Sequence, residues 1–393
     1  MGNSIYHSTV LYNTLKQLNL CRLFSHTYVK HILTIIMSVY CICFKGKTVD
    51  FEKCSSCHRT SIAHFLNHGK WDDDLLESII KQTVISIIYQ EARKTGKPVF
   101  CIVDDTISSH TKPSSQAKHP MEDTYFHQSH LKKKQDFGHQ AVAVMLSCNG
   151  IVLNYAIIMY NKSQSKIALV QQIADELPVS PVISYFLCDS WYTTEKLYTA
   201  FVKKGFYMIG ALKTNRIIFP CGIRQGISEF AQHIKQEDCN VSLVTVGRRR
   251  YYVYRYEGKL NGIENAVVLL TYPENAFHVP KALRAFLCAD VSMTTAEILE
   301  TYTERWPIEL FFRQSKGKLA LDKYQLRSSK GIRRYWLLMS LVNLLCCTQT
   351  GKLCSFEEGY AYFKQAVYEE RISYIYSCGA KNIPLGTILS LVA

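Results

Sequence analysis

Two short, largely apolar runs that each lead into aspartate constrain the fold most. Residues 99–103 read Val-Phe-Cys-Ile-Val and are followed by Asp104 and Asp105. Residues 182–188 are followed by Asp189. A run without polar alternation suits a strand covered on both faces, as central strands of α/β sheets are. In such sheets the carboxyl ends of the strands border the crevice where ligands bind. An aspartate at such a place is more often a turn or N-cap residue. Residues 285–289 show this, because they too end in an aspartate, Asp290. Thr294 and Glu297 then form a capping box, so Asp290 reads as a turn residue.

The surrounding pattern supports an α/β core. Apolar residues recur at helical spacing through 12–24, 31–43 and 75–89, with Gly46 and Gly96 as punctuation. Residues 141–147 and 151–159 alternate as strands around Asn149-Gly150, a strong hairpin signal. Helical spacing returns at 165–177 and 194–204, followed by a strand-like run at 206–212. From 217 to 290 the texture becomes β-rich, with strands expected at 241–246, 251–256, 266–272 and 285–289. A long apolar helix is expected over 331–348. The expected division is a helical amino-terminal region (1–95) suited to DNA binding and a core begun by 96–216. A β-rich insertion (217–290), a helical completion of the core (291–350) and a helical tail (351–393) follow.

A third carboxylate comes from residues 302–316. Tyr302, Arg305, Glu309 and Lys316 are spaced by three, four and seven. On a helix these offsets return to one face. One carboxylate, a phenol and two cations together suit the gripping of phosphates and a metal ion. Pro307 interrupts that face. It is tolerated at the first helical position, so a break is expected near Trp306. Three carboxylates without a His/Cys cluster make a hard, oxygen-lined site, which favours Mg²⁺ or Mn²⁺ over zinc.

Composition fits a polyanionic partner. The 393 residues carry 46 Lys plus Arg against 32 Asp plus Glu, a net charge of +14. Each cation set against a phosphate releases a counterion. Apolar content of 48% is that of a globular chain and argues against disorder. The 15 cysteines, an odd number lying largely in apolar runs, suit reduced thiols in a reducing compartment. The longest apolar stretch, 32–44, is too short to span a bilayer. The amino terminus lacks the pattern of a signal peptide. A soluble cytoplasmic protein is expected.

These residues resemble the DDE transposases of bacterial insertion sequences, specifically the insertion-sequence-four group. That group's signature is Tyr, two residues, Arg, three residues, Glu, six residues, Lys, and Tyr302, Arg305, Glu309 and Lys316 match it without a gap. Trp306 is also similar to the family. Asp105-Thr106 resembles the first catalytic aspartate and its following Thr, with adjacent Asp104 as the alternative. Cys188-Asp189-Ser190-Trp191-Tyr192 resembles the second, and residues 212–216 the strand-end segment after it. The resemblance implies a ribonuclease-H-like core with a β-rich insertion. It also implies Asp105, Asp189 and Glu309 holding two Mg²⁺ (or Mn²⁺) ions, with Tyr302, Arg305 and Lys316 on DNA phosphates. It further implies cut-and-paste transposition: cleavage of transposon ends in double-stranded DNA and strand transfer into target DNA. A homodimer on DNA and a bacterial, nucleoid-associated location complete the expectation. A nuclease without strand joining and a catalytically inactive DNA-binding derivative are the competing readings.

Weaker signals remain. Cys54, Cys57 and His58, with His64 and His68, have zinc-like spacings, but the gap between the pairs is far shorter than in a zinc finger. The bland reading is a helical segment with incidental thiols. Residues 59–66 suit a recognition helix, and equally a bundle that buttresses the core. Arg248, Arg249 and Arg250, interleaved downstream with tyrosines, suit contact with a DNA backbone or an unpaired base. The opposing reading is aromatic packing beside a solvated basic face. Lys132, Lys133 and Lys134 read as a solvated loop.

Overall fold

The computed structural model describes residues 5–41, 44–129, 133–260 and 262–392, and Lys132 and Cys43 lie outside them. Six helices come first: α1 (Thr9–Gln17), α2 (Leu20–Leu23), α3 (His26–Val39), α4 (Thr48–Glu52), α5 (Arg59–Asn67) and α6 (Asp73–Thr95). The core follows as β1 (Phe100–Ser109), β2 (Tyr125–Ser129), β3 (Lys134–Cys148), β4 (Ile151–Tyr160), α7 (Lys166–Glu176), β5 (Ser184–Cys188), α8 (Glu195–Val202) and β6 (Phe206–Leu212). The β-rich stretch holds β7 (Ile217–Ile218), β8 (Gln225–Gly226), α9 (Ile227–Phe230), β9 (Val241–Val246), β10 (Arg249–Leu260), β11 (Ile263–Pro273) and β12 (Arg284–Cys288). The chain then returns through α10 (Thr295–Thr303), α11 (Pro307–Gly317), α12 (Ser329–Cys347), α13 (Phe356–Ala380) and α14 (Leu385–Val392).

In the core, β4 pairs with β3, β3 with β1, β1 with β5 and β5 with β6. The first two pairings are antiparallel and the last two parallel. This order and direction make a ribonuclease-H-like sheet, as the resemblance implied. The β3–β4 hairpin closes through Asn149 at φ 52° and Gly150 at φ 80°. Positive φ at both central residues is what such a tight turn requires.

The β-rich stretch extends the same sheet. Strand β12 pairs antiparallel with β6, and β11, β10 and β9 follow outward. One sheet therefore runs from the core into the insertion.

Strand parity divides the core into two faces. Val103, Val142, Val144 and Phe186 bury against one side, where the long α6 and α12 pack. Ile102, Ala143, Met145 and Leu187 bury against the other, with Ile298 of α10 and Ile308, Phe311 and Phe312 of α11. Successive residues of a strand point to opposite faces, so neighbouring aspartates on β1 are sent to different sides.

The amino-terminal helices are fastened to α12 by Arg334. Its side chain is 1% exposed. It donates to the carbonyls of Phe65, Leu66, Gly69 and Trp71 and to the carboxylate of Asp73. Among the described residues, no helix is long and apolar enough to cross a membrane.

Candidate active site

Strand β1 does not stop at Val103. It pairs with β5 up to that residue, then continues along β3 to Ser109. Asp104 and Asp105 therefore lie in mid-strand, where β1 leaves its parallel neighbour. Asp104 shares the face of Ile102, which is covered by α10 and α11. Its Oδ2 accepts from Arg305 Nη1 at 2.6 Å, and Arg305 Nη2 donates to Glu309 Oε1 at 2.8 Å. Burial raises the Asp104 carboxyl to about 7. The Arg305 guanidinium opposes that rise and the charge of Asp189 adds to it.

Asp105, the aspartate that the sequence reading favoured, points the other way. Its Oδ1 accepts from Lys166 Nζ of α7 at 2.8 Å and from the Tyr192 hydroxyl at 2.8 Å. Gln140 Nε2 donates to Oδ2. The adjacent Thr106, used to favour Asp105, has the parity of Asp104. Lys316 Nζ donates to Thr106 Oγ1 at 2.7 Å and to the Ile107 carbonyl at 2.9 Å.

Asp189 follows the last residue of β5. Its Oδ1 accepts the backbone N–H groups of Trp191 at 2.9 Å and Tyr192 at 3.3 Å, an Asx-type turn that holds the carboxylate in place. Two residues after Leu187, Asp189 continues the alternation of the residue that buries on the α11 side. Asp290 behaves as the turn residue expected, accepting from Ser292 N at 3.0 Å.

The break at Pro307 is real, and it is bridged. The N–H groups of Arg305, Trp306 and Glu309 bond to the carbonyls of Tyr302, Thr303 and Trp306, three residues back. Tightened turns of this kind join helix segments without losing direction. Pro307 takes the first helical position and Glu309 falls in the first turn of α11, where the helix dipole favours a carboxylate. Tyr302, in the last turn of α10, is half-buried beside Phe286 with ring centroids 4.8 Å apart. Burial raises its phenol well above the usual range, with the nearby Arg305 opposing. Arg305 and Lys316 thus bond to β1, Arg305 holds Glu309, and Tyr302 packs on β12.

Three sequence candidates are not brought here. Arg248, Arg249 and Arg250 sit exposed at the β9–β10 turn, and Arg250 pairs with Glu274 at 3.0 Å. The tyrosines of that strand are used in packing: Tyr252 against Phe277 at 5.3 Å and Tyr254 against Phe230 at 5.2 Å. Cys54 lies 2.9 Å from Cys41, sulfur to sulfur.

The donor set is chemically suited to a hard divalent cation, because Asp104, Asp189 and Glu309 offer only carboxylate oxygens. The elevated proton affinity of Asp104 comes chiefly from burial, and the negative charge of Asp189 adds to it, so a positive neighbour is favoured. Arg305 is one such neighbour and lies between Asp104 and Glu309. Among the described residues, no three His, Cys, Asp or Glu side chains stand together as a ready-made metal-holding group. Missed by sequence reasoning was the second cluster of Asp105, Lys166, Gln140 and Tyr192. Asp105 and Tyr192 stood out in the sequence only as parts of the catalytic motifs, and Lys166 and Gln140 carried no signal.

A family model described as a transposase DDE domain matches residues 95–345. A solved structure described as the piggyBac transposase synaptic complex with hairpin DNA aligns over 98% of this chain and 81% of that chain, with a TM-score of 0.48 and 11% identity. No curated protein sequence matches the chain.

Proposed function

The chain belongs to the DDE transposase family, and from that premise we propose that it cuts and joins transposon ends by metal-assisted phosphoryl transfer at Asp104, Asp189 and Glu309. The observation that supports this reading is the guanidinium of Arg305, which ties Asp104 of β1 to Glu309 of α11 on the sheet face that α10 and α11 cover. The spacing of Tyr302, Arg305, Glu309 and Lys316 supports placing the chain in the insertion-sequence-four group.

Asp104, Asp189 and Glu309 would hold Mg²⁺ or Mn²⁺, two ions in the family's pattern, which when bound activate the attacking oxygen and offset charge on the leaving one. The chain's own part is positioning. Glu309 is oriented by the first turn of α11, and Asp189 by its turn with Trp191 and Tyr192. Arg305 and Lys316 are charge-assisted donors suited to the non-bridging oxygens of phosphates. Tyr302, kept protonated by burial, can donate its hydroxyl proton to a phosphate oxygen. The partner is double-stranded DNA, first the transposon ends and then the target, and synapsis of two ends calls for a homodimer on DNA.

The test uses a plasmid carrying the DNA that flanks the gene, incubated with the purified protein and Mg²⁺. Cleavage at the element's ends, and joining of pre-nicked ends to a second plasmid, are the expected results. Cleavage without joining would favour a nuclease. Normal cleavage by Glu309→Ala would overturn the site.

A further inference from the structure

Of the four tryptophans, Trp71 and Trp336 are buried, whereas Trp191 is 48% exposed and stands two residues after Asp189. Its backbone is fixed on both sides. Its N–H donates to Asp189, and the next two side chains are anchored, Tyr192 through its hydroxyl to Asp105 and Thr193 through Oγ1 to the Ala211 carbonyl at 2.6 Å. Two ammonium groups lie against the indole: Lys166 Nζ at 4.5 Å and Lys213 Nζ at 5.0 Å from the ring centroid. Lys166 is neutralised by Asp105. Lys213 is exposed just past the end of β6. Arg216, three residues on, donates to the Thr193 carbonyl at 2.9 Å and completes a basic rim.

We propose that Trp191, with Lys213 and Arg216, is a stacking and phosphate-binding site for an unpaired nucleotide of the DNA strand that passes Asp189. The inference rests on the transposase reading and adds a ligand to it. A rigid indole held half in solvent beside cations offers a π-face and a charge together. Inside a duplex each base face is covered by its neighbours, so away from the ends only an unpaired base can use that ring. The ammonium of Lys213 would exchange the ring for the phosphate of the same nucleotide. Arg305, Glu309 and Lys316 lie on the α11 side of the sheet, whereas Lys166 of α7 brings Trp191 to the opposite side.

The full chain is titrated in EDTA with a fluorescein-labelled twelve-residue oligo-dT and, separately, with a blunt duplex of similar length. Stacking on one aromatic ring contributes about 5- to 150-fold in affinity. Trp191→Ala should lose single-strand affinity within that range while changing duplex affinity less than about twofold, and Trp191→Phe should keep most of it. Lys213→Ala should lower the salt dependence of single-strand binding by about 0.7 in log–log slope. Oligo-dT should quench indole emission in the wild-type protein and more weakly in Trp191→Phe, a readout independent of the Ala variant's folding. Unchanged single-strand binding by Trp191→Ala with equal quenching in Trp191→Phe, or equal losses on single strand and duplex, would overturn the inference. In both cases the transposase reading stands. Failure of the wild-type protein to bind either DNA would overturn both.

Discussion

Arg305 and Asp104, 201 positions apart in the chain, meet at 2.6 Å on a buried face of the central sheet. The contact joins a strand that opens the core to a helix that closes it. The other arm of the same guanidinium holds Glu309 at 2.8 Å. A cation placed between two carboxylates lowers their mutual repulsion. Here it also registers α11 against β1, because the planar fork of arginine fixes direction as well as distance.

Exchanging each of the adjacent aspartates separately tests the assignment. Asp104→Ala removes a group on the Glu309 side and should reduce Mg²⁺-dependent end cleavage by about 10²-fold or more, the scale of losing one electrostatic contributor. Asp105→Ala leaves Lys166 and the Tyr192 hydroxyl without their carboxylate, which should lower stability by about 1–3 kcal/mol, while cleavage remains measurable. Plasmid cleavage and thermal melts of both variants decide it. The reverse order of activity losses would return the role to Asp105.

Removing Arg305 should leave the buried carboxylate of Asp104 without its cation. Breaking a buried pair costs about 3–5 kcal/mol, and Asp104 can soften the loss by taking up a proton. Arg305→Ala at pH 8 should therefore melt below wild type, with the gap narrowing toward pH 6. Millimolar Mg²⁺ should raise the melting temperature of the variant more than that of wild type. Equal Mg²⁺ shifts in the two proteins would show that the cation and the guanidinium do not share a place.

Much of this arrangement could be read in advance, and the limits have physical causes. The apolar runs before Asp104 and Asp189, the Asn149-Gly150 hairpin, the Thr294–Glu297 capping box and the break at Pro307 are local signals, and each appears where local chemistry puts it. Which face of β1 meets α11 is not local. It is decided by Ile308, Phe311 and Phe312, about 200 residues downstream, packing on Ile102. Asp104 and Asp105 therefore differ only through contacts that a strand's own sequence does not contain. The β-rich texture of 217–290 was equally legible, but the pairing of β12 with β6 was not. The role of Arg334 has no local signal either, because its partners are backbone carbonyls of another segment.

The buried imidazole of His139 sets an acid limit to stability. Its Nε2 lies 2.7 Å from the Glu122 carbonyl, so that nitrogen carries the proton. Nδ1 accepts the Tyr324 hydroxyl at 2.8 Å. The neutral ring is thus fully bonded, and burial lowers its proton affinity to about 4. An unfolded histidine takes a proton below about 6.5. Between these values the unfolded state binds more protons, so stability falls as pH drops from about 6.5 to 4, by about 3 kcal/mol in all. Above 6.5 this group adds no pH dependence. Denaturant melts across pH 4–8 should show a shallower acid limb in His139→Gln than in wild type, and superimposable limbs would refute the assignment.

Arg334 should be the most costly single cation to replace. It is enclosed, it bonds four carbonyls and Asp73, and its guanidinium lies 4.6 Å from the Trp71 ring centroid. A lysine has three donors on a flexible stem and cannot reproduce the planar fork. Arg334→Lys should therefore leave carbonyls of residues 65–71 unsatisfied and cost about 3–5 kcal/mol, close to the cost of Arg334→Met. Because these carbonyls belong to the amino-terminal helices, the first segment to loosen should be residues 59–73. Hydrogen exchange read by mass spectrometry should show faster exchange there in Arg334→Lys, with the protection of β1, β3 and β5 retained. Uniform loss of protection across the sheet would mean that Arg334 stabilises the whole core directly rather than fastening one segment to it.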